Sequence, residues 1–276
     1  MTTLAATPPS AQFDDSRTNT SLGHVIRSEW TKIWSVRSTM WTLIITVIVT
    51  VGFATLFAWG ASSNLDQMPP DQRALLDPTN IAMAGLAFGQ LAIAVLGVLV
   101  VTSEYSTGGI KTTLIAVPNR LRVLTAKALV FGVIAWVVGT IVSFLAFWVA
   151  MLFWAPKHLE AHLGDPGVLR AVLGGGLLAL ASGLFGFALA VVIRHTAGAI
   201  TAMVALLFVV PPLTGLLPGT WGKDISKYFT TNASQHITEV VHQPGAMGPW
   251  AGYLTMTVWW VVPLAVGAYL LQRRDA

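Results

Sequence analysis

Residues 81–102 read IAMAGLAFGQLAIAVLGVLVVT, and residues 103–127, which follow directly, read SEYSTGGIKTTLIAVPNRLRVLTAK. The first run is apolar and has about the 20 residues a helix needs to cross a bilayer core of about 30 Å. The second is polar and basic, and another apolar run follows it at once. A chain that leaves a membrane, forms one brief element at its surface and re-enters would have this texture.

Working outward, six runs are long and apolar enough to span: 41–61, 81–102, 128–154, 168–193, 196–217 and 250–271. None carries Lys, Arg, Asp or Glu near its centre, and Arg170 falls in the first turn of its run. The whole chain of 276 residues is 54% hydrophobic and 10% charged, whereas soluble domains carry about 25% charged residues. The expected fold is therefore all-α: a polytopic integral membrane protein with six transmembrane helices. Residues 21–276 are expected to form one six-span domain. Residues 1–20, rich in Thr, Ser, Ala and Pro, are expected to be a disordered tail.

Charge sets the orientation. With a cytoplasmic N-terminus, Arg17, Arg27, Lys32, Arg37, Lys111, Arg120, Arg122, Lys127, Arg194, Arg273 and Arg274 lie inside, and only Arg73, Lys157, Arg170, Lys223 and Lys227 lie outside. That asymmetry follows the positive-inside rule and places both termini in the cytoplasm of a multi-pass protein of the cell membrane. Trp41, Trp59, Trp154 and Trp250 fall near the expected interfaces, where indole is favoured. The basic residues cluster at span ends and form no stripe, so no nucleic-acid partner is expected. There is no cysteine, which excludes disulfides and thiol chemistry.

Two segments outside the spans have helical periodicity. In 22–38, Leu22, Val25, Ile26, Trp30, Ile33 and Trp34 share a face, which predicts an amphipathic helix lying along the inner interface. Glu29 falls within that apolar face and needs a partner. Lys32, three residues on, is the local candidate; a neighbouring subunit or the loop with Arg120 and Arg122 is the distant one. In 106–117, Ile110, Thr113, Leu114 and Val117 form an i, i+3, i+4, i+7 stripe. Ser106 or Thr107 is expected to cap this helix, and Pro118 to end it. A second helix should start at Asn119 and run into the third span.

Small residues predict close helix contacts. Gly85 and Gly89 form a GxxxG pair that suits either packing within the chain or a dimer seam. Gly175, Ala179, Gly183, Gly186 and Ala190 recur along the fourth run. Gln90 lies mid-span, where an amide either bonds to another helix or meets a substrate. Thr42, Thr46 and Thr50 are expected to bond back to their own helix. Pro211-Pro212 should break or kink the fifth span. His158 and His162 flank Glu160 without a convergent third ligand, so no metal site is expected. No catalytic set is apparent either.

The segment SEYSTGGIKTTLIAVPNRLRVLTAK, with Glu-Tyr, Gly, Pro-x-Arg and then a Lys entering the next span, resembles the permease subunits of ABC-2 type transporters. The segment RSEWTKIWSVRSTMWTL before the first span and the six-span layout are similar too, and LLPGTWGKDISKYFTTNASQHI (216–237) is like the family's outer re-entrant helices. The resemblance implies the membrane half of an ATP-driven exporter of a lipophilic or amphipathic substrate, with a path lined mainly by the first, second and fifth spans. It implies that 22–38, with Glu29, Trp30 and Lys32, is a connecting helix. It implies that 106–117 is a coupling helix that docks on a nucleotide-binding subunit through a segment including Glu104, Ile110, Leu114, Val117 and Arg120. Glu104 would tie that helix to Lys111, Arg122 or Lys127, and Leu114→Asp should uncouple the ATPase. Gly85, Gly89 and Gln90 are the candidates for the substrate path or the dimer seam.

No G-x-x-x-x-G-K-[ST] occurs in the sequence, so the phosphates of ATP have no loop of that kind here. A separate ABC ATPase carrying ATP and Mg²⁺ is the implied partner, with a second permease copy or a related permease and membrane lipid. No cofactor is expected in this chain, which is not itself read as an enzyme. An ion-coupled carrier and a non-transporting scaffold are the competing readings; carriers usually place ionisable groups within the membrane.

Overall fold

The structure, a computed structural model, describes residues 21–216, 220–241 and 245–273. The tail expected over 1–20 lies outside the described residues. Among those described, six helices are long and apolar enough to cross a membrane, and the protein is an all-helical, multi-pass membrane protein.

The chain begins with α1 (Leu22–Ser35), then turns through the extended residue Val36 into the first long helix, α2 (Arg37–Ser63). The second, α3 (Pro78–Ser106), has a break at Gly85. The short α4 (Gly109–Ala116) and the long α5 (Arg120–Trp154) follow. Next come α6 (Val168–Ile193) and α7 (Thr196–Thr214), two short helices α8 (Thr220–Lys227) and α9 (Thr230–Gln235), and finally α10 (Pro249–Arg273). α1 and α4 lie at one end of the bundle, and α8 and α9 at the far end.

The most enclosed of the six is α6, packed against α3, α5 and α10. Its small residues make this possible. A methyl on Gly186 would overlap the Ala94 carbonyl of α3, and one on Gly97 of α3 would overlap the Gly183 carbonyl. On its other side, Gly175 and Gly176 sit against Ser143 and Thr140 of α5. Without a hydrophobic drive between helices in lipid, such close backbone approach supplies the packing attraction. Other bulky residues face outward: Trp41, Ile48, Leu152 and Leu254 are each more than half exposed, as a lipid-facing surface requires.

The structure places three sets of residues singled out in the sequence. Gly85 and Gly89 fit the reading of packing within the chain: a Cβ on Gly85 would lie 2.6 Å from the Ala54 nitrogen of α2, and one on Gly89 would collide with the Thr50 hydroxyl. Trp154, expected at a lipid interface, is fully buried in a cluster with Met83, Phe147 and Val172. His158 and His162 lie in the irregular connection between α5 and α6. The threonine stripe does bond back to its own helix, with Thr46 Oγ1 2.8 Å from the Thr42 carbonyl and Thr50 Oγ1 2.7 Å from that of Thr46.

Pro211-Pro212 neither ends α7 nor simply kinks it. The helix widens to π geometry over Ala205–Val209, and the Val210 N–H reaches back to the Ala205 carbonyl. Continuing that pattern, Leu206 and Leu207 would accept from residues 211 and 212, which are prolines and have no N–H. Hydroxyls from α9 replace the missing donors: Thr230 Oγ1 donates to Leu206 O at 2.8 Å, and Thr231 Oγ1 donates to Leu207 O. Thr231→Val, which keeps the shape and removes the hydroxyl, should cost about 1–3 kcal/mol by leaving a buried carbonyl unpaired, and Thr231→Ser should cost less. Equal thermal unfolding midpoints for wild type and Thr231→Val would refute this account of the far end.

Candidate functional site

Four charged side chains from three helices meet at the α1 end. Glu29 stands between Val25 and Ile33 on the buried face of α1, where helical spacing aims it at α5. Lys127 projects from the first turns of α5, and Glu104 from the last turn of α3. Lys32 lies one turn beyond Glu29.

The contacts close into a ring. Lys32 Nζ donates to Glu29 Oε1 at 2.8 Å and to Glu104 Oε1 at 3.0 Å. Lys127 Nζ donates to Glu104 Oε1 at 2.7 Å and to Glu29 Oε2 at 2.5 Å. Two cations thus alternate with two anions and leave no net charge. The Glu29 side chain is 2% exposed and that of Lys127 7%, whereas Lys32 opens to the surface at 39%. Burial disfavours the Lys32 ammonium, but Glu29 and Glu104 outweigh it and hold its pKa above the ordinary lysine value. Its contribution is therefore complete below that value and fades only as pH rises through the still higher folded one. Ionised lysine remains in the ring throughout the neutral range.

Of the partners expected for Glu29, Lys32 pairs with it locally; the distant partner is neither Arg120 nor Arg122 but Lys127, 98 residues away on α5. Of the three bases considered for Glu104, Lys127 is the one bonded to it; Lys111 is exposed, and Arg122 sits elsewhere on α5. Lys32 is the Glu104 partner that sequence periodicity could not reveal.

The ring also reaches α4. Lys32 Nζ lies 3.3 Å from Thr113 Oγ1. The helix itself is shorter than expected, Gly109–Ala116, because Ser106 and Thr107 turn their hydroxyls back to the Ser103 carbonyl and close α3 instead of capping α4. Gly108, at φ 72°, makes the sharp turn between the two helices, a conformation that favours glycine. Val117 is extended ahead of Pro118, and the Asn119 side chain accepts from the Arg122 N–H at 3.0 Å to start α5.

The apolar stripe of α4 faces inward. Ile110 and Val117 are buried and Leu114 is half-buried, with Val117 and Leu114 packed beside Val25, Val123 and Ala126. The opposite face carries Lys111, Thr112 and Ala116, all exposed, and Ile115, whose exposure is 82%. Sequence periodicity passed over Ile115 because it lies off the stripe; its signal was being an apolar residue on the wrong face. Arg120 donates to the Leu271 carbonyl at 2.8 Å and so ties the start of α5 to the end of α10. Trp30 and Trp34 of α1 stay about half exposed, their ring centroids 5.9 Å apart.

The arrangement is a short helix presented to solvent at one end of a membrane bundle, braced by a buried ion ring that joins α1, α3 and α5. Among the described residues no group of three or more His, Asp or Glu side chains is placed to hold a metal. A family model described as ABC-2 family transporter protein matches residues 25–276. No curated protein matches the chain.

Proposed function

The chain belongs to the ABC-2 family of transporter proteins, and on that footing we propose that it is the membrane-spanning subunit of an ATP-driven exporter for a lipophilic or amphipathic substrate. Its α1 end faces the cytoplasm, in keeping with the excess of basic residues there. A separate nucleotide-binding subunit docks on the exposed face of α4, with Ile115 as the apolar anchor and Lys111 beside it. The observation that carries this reading is the isoleucine 82% exposed on a helix that is otherwise firmly braced.

The ring gives the docked subunit something to push against. Motion of α4 reaches Glu104 at the end of α3 through Lys32 and Thr113, and reaches α5 through Lys127. ATP and Mg²⁺ belong to the partner subunit. Two such chains, or this chain and a related one, assemble across the exposed lipid-facing sides and not through Gly85 and Gly89. Glu104, Glu29 and Lys32 act as positioning residues, while Ile110, Leu114 and Val117 seat the helix.

Purifying the tagged chain from its own membranes tests the proposal. A polypeptide with a G-x-x-x-x-G-K-[ST] loop should accompany it, and inside-out vesicles should show ATP-dependent uptake of an amphipathic dye. Absence of both would refute the proposal.

A further inference from the structure

Gln90 is an amide buried in the bundle with nothing to bond. It is 3% exposed, yet neither Nε2 nor Oε1 has a hydrogen-bond partner among the described residues. A buried amide left so is costly, and in native proteins such a group marks an absent ligand, a water or a function. Gln90 lines a cavity of about 390 Å³, within the usual range for small-molecule sites and far larger than the ~30 Å³ of a single water.

The walls define what would fit. Around Gln90 they are apolar: Phe57 of α2, Met83 and Phe88 of α3, and Leu178 of α6. Phe88 is held in place by stacking on Phe53, centroids 3.7 Å apart. Towards the far end the lining turns polar, with Asn80, Gln235 and Glu239. Those three also border a second cavity of about 300 Å³, which makes a polar vestibule. No Lys or Arg lines the cavity at Gln90 among the described residues, and its one ionisable side chain is Glu239, whose carboxylate is 2.8 Å from His236 Nδ1.

We propose that this cavity, formed within a single copy of the chain, binds a compact, neutral or cationic amphipathic molecule whose deep end both donates to and accepts from Gln90 once that amide, buried as it stands, turns into the cavity. Amide, sulfonamide and alcohol heads satisfy the two faces of the side-chain amide; a carboxylate or sulfonate cannot donate and meets a surface with no cation. The proposal deepens the transport reading and rests on it for the molecule's passage, but the binding itself requires neither nucleotide nor partner.

The test uses the full chain in nanodiscs of zwitterionic lipid, with empty nanodiscs as background. Two fluorescent probes share one ring system: neutral dansylamide and the anionic dansyl sulfonate. Dansylamide should bind saturably at one site per chain with blue-shifted emission, and the sulfonate at least ten-fold more weakly. Gln90→Leu should weaken dansylamide about ten-fold, the scale of losing one or two hydrogen bonds. Ala84→Trp, which fills the cavity and leaves Gln90 in place, should abolish saturable binding and serves if Gln90→Leu fails to fold. Non-saturable dansylamide partitioning, equal binding of the sulfonate, or undiminished binding in either variant would overturn the site. Lack of binding alongside ATP-dependent uptake would remove this site and leave the transport reading standing; binding without a co-purifying ATPase would do the reverse.

Discussion

Lys127→Met should destabilise the chain by about 3–5 kcal/mol, the usual cost of removing one partner from a buried ion pair. It is the most exacting position in the ring because Lys127 bonds both carboxylates and its side chain is only 7% exposed. Without it, Glu29 and Glu104 face each other across Lys32 alone, and one of them must take up a proton or draw in water. Replacing Glu29 as well, in Glu29→Gln/Lys127→Met, removes the excess charge and should recover part of the loss. A double-mutant cycle on thermal unfolding should give a coupling of about 1–3 kcal/mol. Additivity of the two substitutions would mean that the ring does not act as a unit.

Ile115→Asp should leave the fold unchanged within about 0.5 kcal/mol, as for other surface substitutions, and yet abolish retention of the ATPase. Loss of a central apolar anchor costs an interface about 2 kcal/mol or more, at least a 25-fold fall in affinity, and a carboxylate there adds a desolvation penalty. Leu114→Asp should also release the ATPase, but for a different reason: Leu114 packs beside Val25 and Val123, so a charge there lifts α4 off the bundle. The two variants separate docking from support. Limited proteolysis around Gly108 should increase in Leu114→Asp and stay at the wild-type rate in Ile115→Asp. Matching proteolysis in both would contradict the assignment of faces.

What could be read from the sequence was what local pattern determines. Apolar length marked the six spans, the stripe from Ile110 to Val117 marked α4, and Pro118 and Asn119 marked where α4 stops and α5 starts. The small residues of the fourth run announced a helix that others approach closely, which is the role of α6. Features that depend on distant pairing were out of reach. Nothing near Glu29 points to Lys127, and nothing near Pro211 points to hydroxyls on Thr230 and Thr231. The stripe likewise showed that α4 has two faces without showing which one meets the bundle. Gln90 stood out as a polar residue in an apolar run, but only the walls around it turn an isolated amide into a cavity with a chemical preference.

The cysteine-free sequence allows the proposed docking face of α4 to be tested directly. Single cysteines at Ile115 and, as a control on the same helix, at Ile110 would carry a short photo-crosslinker in native membranes. The Ile115→Cys chain should crosslink to the ATPase in high yield, with the yield changing on ATP addition, and the buried Ile110→Cys position should not. Crosslinking at Ile110 without crosslinking at Ile115, or an ATPase that attaches to neither, would contradict the proposed docking face.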